Sequence, residues 1–194
     1  MQELRNLTDA IWINILMLVT SIPIVTVGAA ITAAHDANRR ALQGEAGGVT
    51  RNYFKAFRAN FAESTALWAV FGITGAALAY AWVVLQITPL LVPKIGLTLV
   101  WIIGFEWVFA LQARFENMVG RTLANAFVFG ISHILLTVGM IVLDAIWVGL
   151  LAACWFLFPQ GLFLLVVMGY GTMILCHIPL LERGFAQYLK SGEE

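Results

Sequence analysis

The sequence predicts an all-α fold, a polytopic transmembrane helical bundle in which residues 1–194 form a single membrane domain. Hydrophobic residues make up 61% of the chain, against about 45–50% in an average soluble domain. Charged residues make up 11%, against about 25%. A soluble domain needs a polar shell, and a disordered chain needs low hydrophobicity and high charge. The composition therefore excludes both classes and leaves a protein whose main partner is the lipid bilayer.

Five segments are long and apolar enough to cross the hydrocarbon core, which requires about 20 residues in a helix. The first contains Pro23 and Gly28, the second has no charged residue, and the third is interrupted by Glu106. The fourth is the membrane part of a longer apolar run, whose first turns we expect to project from the membrane. The predicted spans cover residues 10–34, 64–87, 95–113, 130–157 and 162–181.

Basic residues are concentrated in alternate loops. Only Arg5 and Lys94 fall on one side of the predicted five-span bundle. The other nine follow the first or third span or lie in the C-terminal tail: Arg39, Arg40, Arg51, Lys55, Arg58, Arg114, Arg121, Arg183 and Lys190. Because cytoplasmic loops carry the excess of Lys and Arg, this pattern predicts an N-terminus outside and a C-terminus in the cytoplasm.

The first span contains three residues that favour a helix break: Pro23, Thr26 and Gly28. A proline removes one backbone hydrogen bond and clashes with an earlier carbonyl. In hydrocarbon the freed carbonyl must find another partner. Two interpretations remain open, a packed kink or a broken helix that lines a binding cavity, as in transporters.

Two acids, Glu106 and Asp144, are predicted near the bilayer midplane. Each costs about 2.5–3.5 kcal/mol at the centre of a membrane helix, so we expect both to face the bundle interior or a water-filled cavity. On one continuous helix His133 would share a face with Asp144, roughly 16 Å away. These three residues are candidates for a ligand or proton site. The alternative is a structural role as polar contacts between helices.

Residues 50–61 form an amphipathic segment after the first span. Phe54, Phe57 and Phe61 repeat at spacings of three and four, which places them on one helical face. Arg58 is one of the basic residues on the remaining surface. The pattern predicts a short cytoplasmic helix in the membrane interface. It is either a connector on the membrane surface or a docking surface for a partner.

Other classes of function find no support in the residues. Eleven basic and eleven acidic residues give no net charge, which argues against a nucleic-acid partner. Cys154 and Cys176 lie in apolar runs and lack metal-ligand spacing. The chain has no phosphate-binding loop, no His-Glu-x-x-His pattern and no Gly-x-Ser-x-Gly pattern. We therefore expect no metal, no cofactor and no enzymatic activity.

Two segments have a distinctive pattern, a proline, threonine and glycine in one and spaced phenylalanines in the other. They are Ser21-Ile-Pro-Ile-Val-Thr-Val-Gly-Ala-Ala30 and Tyr53-Phe-Lys-Ala-Phe-Arg-Ala-Asn-Phe61. Together with Leu111-Gln-Ala-Arg-Phe-Glu116 they resemble the YesL-like family of bacterial integral membrane proteins, a family of unknown function. His35 and Asp36 depart from its more apolar pattern. The resemblance implies the bacterial cytoplasmic membrane and an association with carbohydrate-utilisation genes, often beside sugar ABC importers. It implies no catalytic residue.

The leading hypothesis is therefore a non-enzymatic accessory membrane protein in carbohydrate uptake, a partner or regulator of the subunits of a sugar ABC importer. The alternative is a stand-alone small-solute transporter or channel that uses the intramembrane acids. A third hypothesis, an enzyme acting on a lipid-linked sugar, needs the carboxyls of Glu106 and Asp144 about 5–10 Å apart. Small residues such as Gly72 and Ala76 provide close-packing faces for this chain or for a homo-oligomer.

Overall fold

The computed structural model describes residues 2–45, 47–115 and 117–190, and eight α-helices occupy most of them. The helices are α1 (Gln2–Thr20), α2 (Val27–Leu42), α3 (Val49–Ala59), α4 (Phe61–Val83), α5 (Leu91–Arg114), α6 (Val119–Ser132), α7 (Ile134–Leu157) and α8 (Gly161–Lys190). No strand occurs among these residues, which confirms the all-α prediction. Glu116, which ends one of the patterns quoted above, lies outside the described residues.

Four helices are long and apolar enough to span a membrane. Ile73 in α4 and Val148 in α7 are 71% and 62% exposed, and such outward apolar faces are stable in lipid but not in water. This confirms a multi-pass membrane bundle. The spanning segments are Phe61–Val83, Thr88–Arg114, Ile134–Leu157 and Gly161–Ala186, over the predicted spans at 64–87, 95–113, 130–157 and 162–181.

The predicted span at 10–34 is different, because the chain turns back within it. Asn14 of α1 and Asn38 of α2 both form hydrogen bonds with the backbone of Gly171, of 3.1 and 3.3 Å. A continuous helix would separate two residues about 24 positions apart by roughly 36 Å. The two asparagines meet at one glycine only because α1 and α2 pack side by side. The segment is a helical hairpin rather than one span, so the described part of the chain has four helices of spanning character where the sequence predicted five.

The hairpin turn uses the three residues that the sequence marks as helix-breaking. Pro23 has no backbone N–H to continue α1, which ends at Thr20. The hydroxyl of Thr26 donates to the carbonyls of Thr20 and Pro23, so both carbonyls have a hydrogen-bond partner. Gly28 lies against the backbone of Ser64, where a Cβ would overlap the Ser64 carbonyl. The turn therefore ends α1, satisfies its carbonyls and lets α2 approach α4 closely.

Helix α2 lies at the centre of the packing, and residues 28–38 of it are all buried. Helix α3 packs along the hairpin. Its Tyr53 is fully buried and lies 2.6 Å from the hydroxyl of Thr20. The Trp12 indole N–H donates to Thr50 Oγ1 at 2.8 Å, which places the middle of α1 beside the beginning of α3. The hairpin and α3 therefore form one layer against the spanning helices.

The long apolar run before residue 157 is also interrupted. The sequence predicts one helix that enters the membrane near residue 130, but α6 ends at Ser132 and His133 has non-helical backbone angles (φ −114°, ψ 46°). The Thr137 hydroxyl donates to the carbonyl of Gly130 at 2.9 Å and accepts a hydrogen bond from the indole of Trp107. These bonds replace those lost at the break. Helix α6 is consequently a separate element, and the helical phase of His133 does not carry into α7.

Candidate functional site

Three ionisable side chains from three spanning helices meet inside the bundle. Glu106 lies in α5, Asp144 in α7 and His177 in α8. One ligand atom of each lies within 4.8 Å of the other two, and His177 Nε2 is 3.3 Å from Asp144 Oδ1. We call these three residues the acid–histidine cluster. The sequence predicts that both acids turn inward, and here they face each other with a histidine from a third helix.

The converging atoms of the acid–histidine cluster have no hydrogen-bond partner. Glu106 is 8% exposed and His177 is 1% exposed. Within the described part of the chain, Glu106 Oε2, Asp144 Oδ1 and His177 Nε2 are each sealed from solvent and without a hydrogen bond, although Asp144 Oδ1 and His177 Nε2 are in contact at 3.3 Å. An unsatisfied buried polar group costs about 1–3 kcal/mol. A ligand that bonds all three atoms at once would remove this cost.

Charge repulsion determines which ligand the cluster prefers. Two ionised carboxylates no more than 4.8 Å apart repel each other by at least about 3.5 kcal/mol at an effective dielectric constant of about 20. A positive charge between them reverses the sign of the interaction. A neutral imidazole can also bond a cation through its lone pair. The arrangement therefore favours a cation over a neutral or anionic ligand.

Two further polar residues surround the cluster. His35 of α2 is 7% exposed, its Nδ1 is unpaired, and it lies close enough to His177 for an electrostatic interaction. Tyr170 of α8 interacts electrostatically with both Asp144 and Glu106. The hairpin therefore contributes to the surroundings of the site through α2, although the three cluster residues come from other helices.

A cleft with a polar lining lies at one end of the bundle. A cleft of about 770 Å³ opens between α2, α3 and α5, and its lining includes Asp36, Arg39, Lys55, Asn60, Gln112 and Arg114. A smaller cavity of about 20 Å³ shares Arg39 and Arg114 with the cleft and is also lined by His35. A volume of that size holds about one water molecule. The two cavities thus adjoin at Arg39 and Arg114, and the smaller one reaches His35, the neighbour of His177.

The charges at the α2 side of the cleft are largely paired. Asp36 accepts hydrogen bonds from Arg39 and Arg40, each at 2.7 Å, and Arg40 also reaches Glu45 at 2.8 Å. The hydrogen bond from Arg40 to Asp36 raises the pKa of the Arg40 guanidinium. Nearby in α3, burial raises the pKa of Tyr53 to about 12, although its bond to Thr20 acts in the opposite direction. The paired charges leave no strong excess of either sign on this side.

Helix α8 is broken close to the site. Gly169 has φ 52° and ψ −168°, and a side chain there would overlap the amide of Asn14. Asn14 Nδ2 donates to the carbonyls of Val166 and Val167, both at 2.9 Å, and Asn14 Oδ1 accepts from the N–H of Gly171. One asparagine from α1 therefore satisfies both sides of the break. Tyr170, which faces the two acids electrostatically, directly follows the broken position.

The third residue that the sequence placed with the acids lies elsewhere. His133 occupies the α6–α7 junction, where its ring stacks on Phe129 and contacts Trp107. Its Nδ1 is 3.3 Å from the carbonyl of Phe129. His133 and Asp144 would share a face only on a continuous helix, and the helix is interrupted at His133. The histidine beside Asp144 is His177 instead.

The predicted docking residues form a partly open surface on α3 and the first residue of α4. Phe54 and Phe61 are 38% and 42% exposed, and Arg58 is also exposed. Phe57 is half-buried and stacks on Tyr53, with its ring edge against Phe61. Only the outer two phenylalanines are therefore free to contact lipid or a protein.

Sequence reasoning missed His177 as a member of the cluster. This histidine lies two residues before Pro179 in the last spanning helix and was not among the predicted site residues. No local spacing connects His177 with Glu106 or Asp144, since each lies on a different helix. The only usable signal was the presence of three ionisable residues in apolar spans, which suggests a shared interior site without showing which histidine takes part.

The four apolar helices and their buried polar cluster define a multi-pass membrane protein. Residues 10–82 match the model of a family described as "Protein of unknown function, DUF624". The match covers less than half of the chain and includes most of α1, the hairpin turn, α2, α3 and nearly all of α4. It ends before the three residues of the acid–histidine cluster. No curated protein and no solved structure matches the chain.

Proposed function

We propose that this protein is a stand-alone transporter of a small cation, with the acid–histidine cluster as its binding site. The observation that carries the proposal is the convergence of Glu106, Asp144 and His177 inside the apolar bundle, each with a sealed side-chain atom that has no hydrogen bond. Ionisable groups within membranes are costly and mark pathways of ions and substrates. The proposal corresponds to the second of the two main sequence-based hypotheses.

The surroundings of the cluster support a transport role. The cleft and the small cavity beside His35 give a polar approach from one end of the bundle. Helix α8 is discontinuous at Gly169, next to Tyr170. Transporters commonly bind their substrates and ions where membrane helices are discontinuous. A binding site with access from one side requires a polar approach, and the break at Gly169 lies about two helical turns before His177 in the same helix.

The hairpin also suggests a topology with both termini in the cytoplasm, in place of an N-terminus outside. An even number of spanning helices returns the chain to the side of the membrane on which it starts. A hairpin that enters and leaves through the same membrane face also leaves the start of α1 on the same side as α3. Arg5 then joins the nine cytoplasmic basic residues predicted above, and Lys94 alone lies outside. This distribution fits the positive-inside rule better than the five-span topology. The bacterial cytoplasmic membrane remains part of the proposal.

Ion flux into proteoliposomes tests the transport proposal. Purified protein is reconstituted and assayed with a panel of Na⁺, K⁺, Mg²⁺, Mn²⁺ and Zn²⁺, each with an ion-sensitive dye. We expect at least one ion to enter, and we expect Glu106→Gln and Asp144→Asn to lower its rate at least tenfold. Asp9→Asn in α1, outside the cluster, is the matched acid control. A wild-type protein that moves none of these ions, or acid variants that move them normally, would refute the transport role.

The accessory role in carbohydrate uptake is the second candidate, and the exposed aromatic surface of Phe54, Arg58 and Phe61 favours it. In this case the protein is non-enzymatic and binds a subunit of a sugar ABC importer, as the resemblance to the YesL-like family implies. Co-purification in mild detergent should then recover the importer. The double variant Phe54→Ser, Phe61→Ser should lose it, whereas Val128→Ser, an exposed apolar position in α6, should retain it. Retention by the double variant would contradict docking at this surface.

A further inference from the structure

We infer that the acid–histidine cluster binds a divalent first-row transition-metal ion through Glu106, Asp144 and His177. This inference rests on the cation site proposed above and names the class of its ligand. The sequence led us to expect no metal, because metal sites are usually identified by ligands at short spacing. Here the three ligands come from α5, α7 and α8 and meet only in the folded bundle.

The donor atoms point to a transition metal. Mg²⁺ and Ca²⁺ prefer sites made entirely of oxygen ligands. Imidazole nitrogen suits Zn²⁺, iron, nickel and copper, whereas carboxylate oxygen is accepted by these ions and by Mn²⁺ as well. A site of two carboxylates and one imidazole therefore owes its discrimination against Mg²⁺ and Ca²⁺ to His177. Three protein ligands also leave a coordination position open for water or for exchange.

The charges of the site balance. Two carboxylates, one neutral imidazole and one divalent cation sum to zero, which matters because an uncompensated charge is costly in the interior of an apolar bundle. A monovalent cation would leave one negative charge behind. Glu106 is more than nine-tenths buried, so solvent cannot compensate for that charge at its carboxylate. Charge balance therefore favours a divalent ion over Na⁺ or K⁺.

The distances also suit such an ion. Ligand atoms around a tetrahedral zinc ion lie roughly 3.4 Å apart, from metal–ligand bonds of about 2.0–2.1 Å. The Asp144 Oδ1 to His177 Nε2 distance is 3.3 Å, and no pair of the three ligand atoms exceeds 4.8 Å. Any pair of atoms that includes Glu106 therefore exceeds the tetrahedral separation by at most about 1.4 Å. The three helices thus already hold the ligands near their coordinating positions.

The residues around the cluster supply the outer contacts that metal ligands usually need. A metal-bound histidine is normally oriented by a second contact of its ring, and the His177 ring interacts with the backbone of Met140. Tyr170 lies near both carboxylates. His35 approaches His177 from the side of the small cavity and is 7% exposed. The cluster therefore has an outer ring of polar groups as well as three direct ligands.

Metal binding to the purified full-length protein in detergent tests the inference. Isothermal titration with Zn²⁺ and absorption spectroscopy with Co²⁺ measure affinity, stoichiometry and coordination geometry, with Mg²⁺ and Ca²⁺ as competitors. We expect one high-affinity site that a large excess of Mg²⁺ does not displace. Loss of an outer-shell group typically lowers metal affinity 10–100-fold. Glu106 and His177 are proposed as direct ligands, so we expect Glu106→Gln and His177→Gln each to lower the affinity about 100-fold or more. His133→Gln, a histidine outside the cluster, should bind normally.

Further measurements on the same proteins distinguish a loss of metal binding from misfolding and from a loss of transport. Size-exclusion profiles and helical circular dichroism identify any variant that fails to fold, and Zn²⁺ should raise the melting temperature of the wild type but not of His177→Gln. Absence of a one-to-one site in the wild type, or a site that survives in both ligand variants, would overturn the inference. Metal binding without flux would refute only the transport role. Flux of Na⁺ or K⁺ without metal binding would refute only the metal assignment.

Discussion

Asn14 offers the sharpest test of how the hairpin supports the broken helix. Its amide makes three hydrogen bonds to α8, two to the carbonyls of Val166 and Val167 and one from the N–H of Gly171. Asn14→Ala removes all three and leaves the break at Gly169 without its partner. Hydrogen bonds between membrane helices contribute about 0.6 kcal/mol on average and up to about 1.7 kcal/mol. We therefore expect a loss of about 2–5 kcal/mol in the free energy of unfolding.

Titration with SDS in mixed micelles, followed by helical circular dichroism, measures this loss. Asn125→Ala in α6 is the matched control, since it removes a half-buried asparagine at a position away from the break. We expect it to change the free energy of unfolding by less than about 1 kcal/mol. Equal effects of the two substitutions would show that Asn14 does not hold the break. In that case the hairpin packs against α8 without stabilising its discontinuity.

Three further results are expected. Gly169→Ala should lower the melting temperature, because its left-handed backbone (φ 52°) strains any side chain and a Cβ meets the Asn14 amide, whereas Gly149→Ala in the open middle of α7 should raise it slightly. The free energy of unfolding should fall as pH rises from 10 toward about 12, since burial raises the pKa of Tyr53 from 10.0 to about 12 and the folded state favours its neutral form. Denaturant titrations across that range should show a weaker decline for Tyr53→Phe, and an equal decline would contradict the assignment. In a chain whose Cys154 and Cys176 are replaced by serine, a cysteine introduced at Gln86, an exposed residue between α4 and α5, should react with a membrane-impermeant thiol reagent added outside cells. Cysteines added at either terminus should not react, and a reactive N-terminal cysteine would restore the N-outside topology.

The spanning helices were predictable because apolar run length determines them. Helices α4, α5, α7 and α8 coincide with four long apolar segments, and hydrocarbon admits few alternatives to a helix of that length. The hairpin was not predictable in the same way. Pro23, Thr26 and Gly28 indicate a break, but a kink and a reversal begin with the same local signals. The direction of the chain after the break depends on tertiary contacts, such as those of Asn14 and Asn38 with Gly171.

The candidate site, like the fold, was predictable only in part. The insertion cost of Glu106 and Asp144 was enough to predict that both turn inward. Their histidine was assigned wrongly, because His133 was placed on a continuous helix that the structure breaks at that residue. Choosing His177 required knowing that α8 packs against α7 at this depth. Single-helix periodicity describes which face a residue occupies and carries no information about which helix lies opposite.

The hairpin lies next to the acid–histidine cluster and to the helix that carries His177. The matched residues 10–82 contain none of the three cluster residues, yet they contain both hairpin residues that reach toward the site. His35 borders His177, and Asn14 holds the α8 break that precedes Tyr170. The matched segment therefore contacts α8 and the surroundings of the cluster without supplying any of its three residues. Because the hairpin holds the same helix that carries His177, we expect Asn14→Ala to lower affinity at the proposed cation site even though all three proposed ligands are intact, and unchanged affinity would show that the break does not position His177.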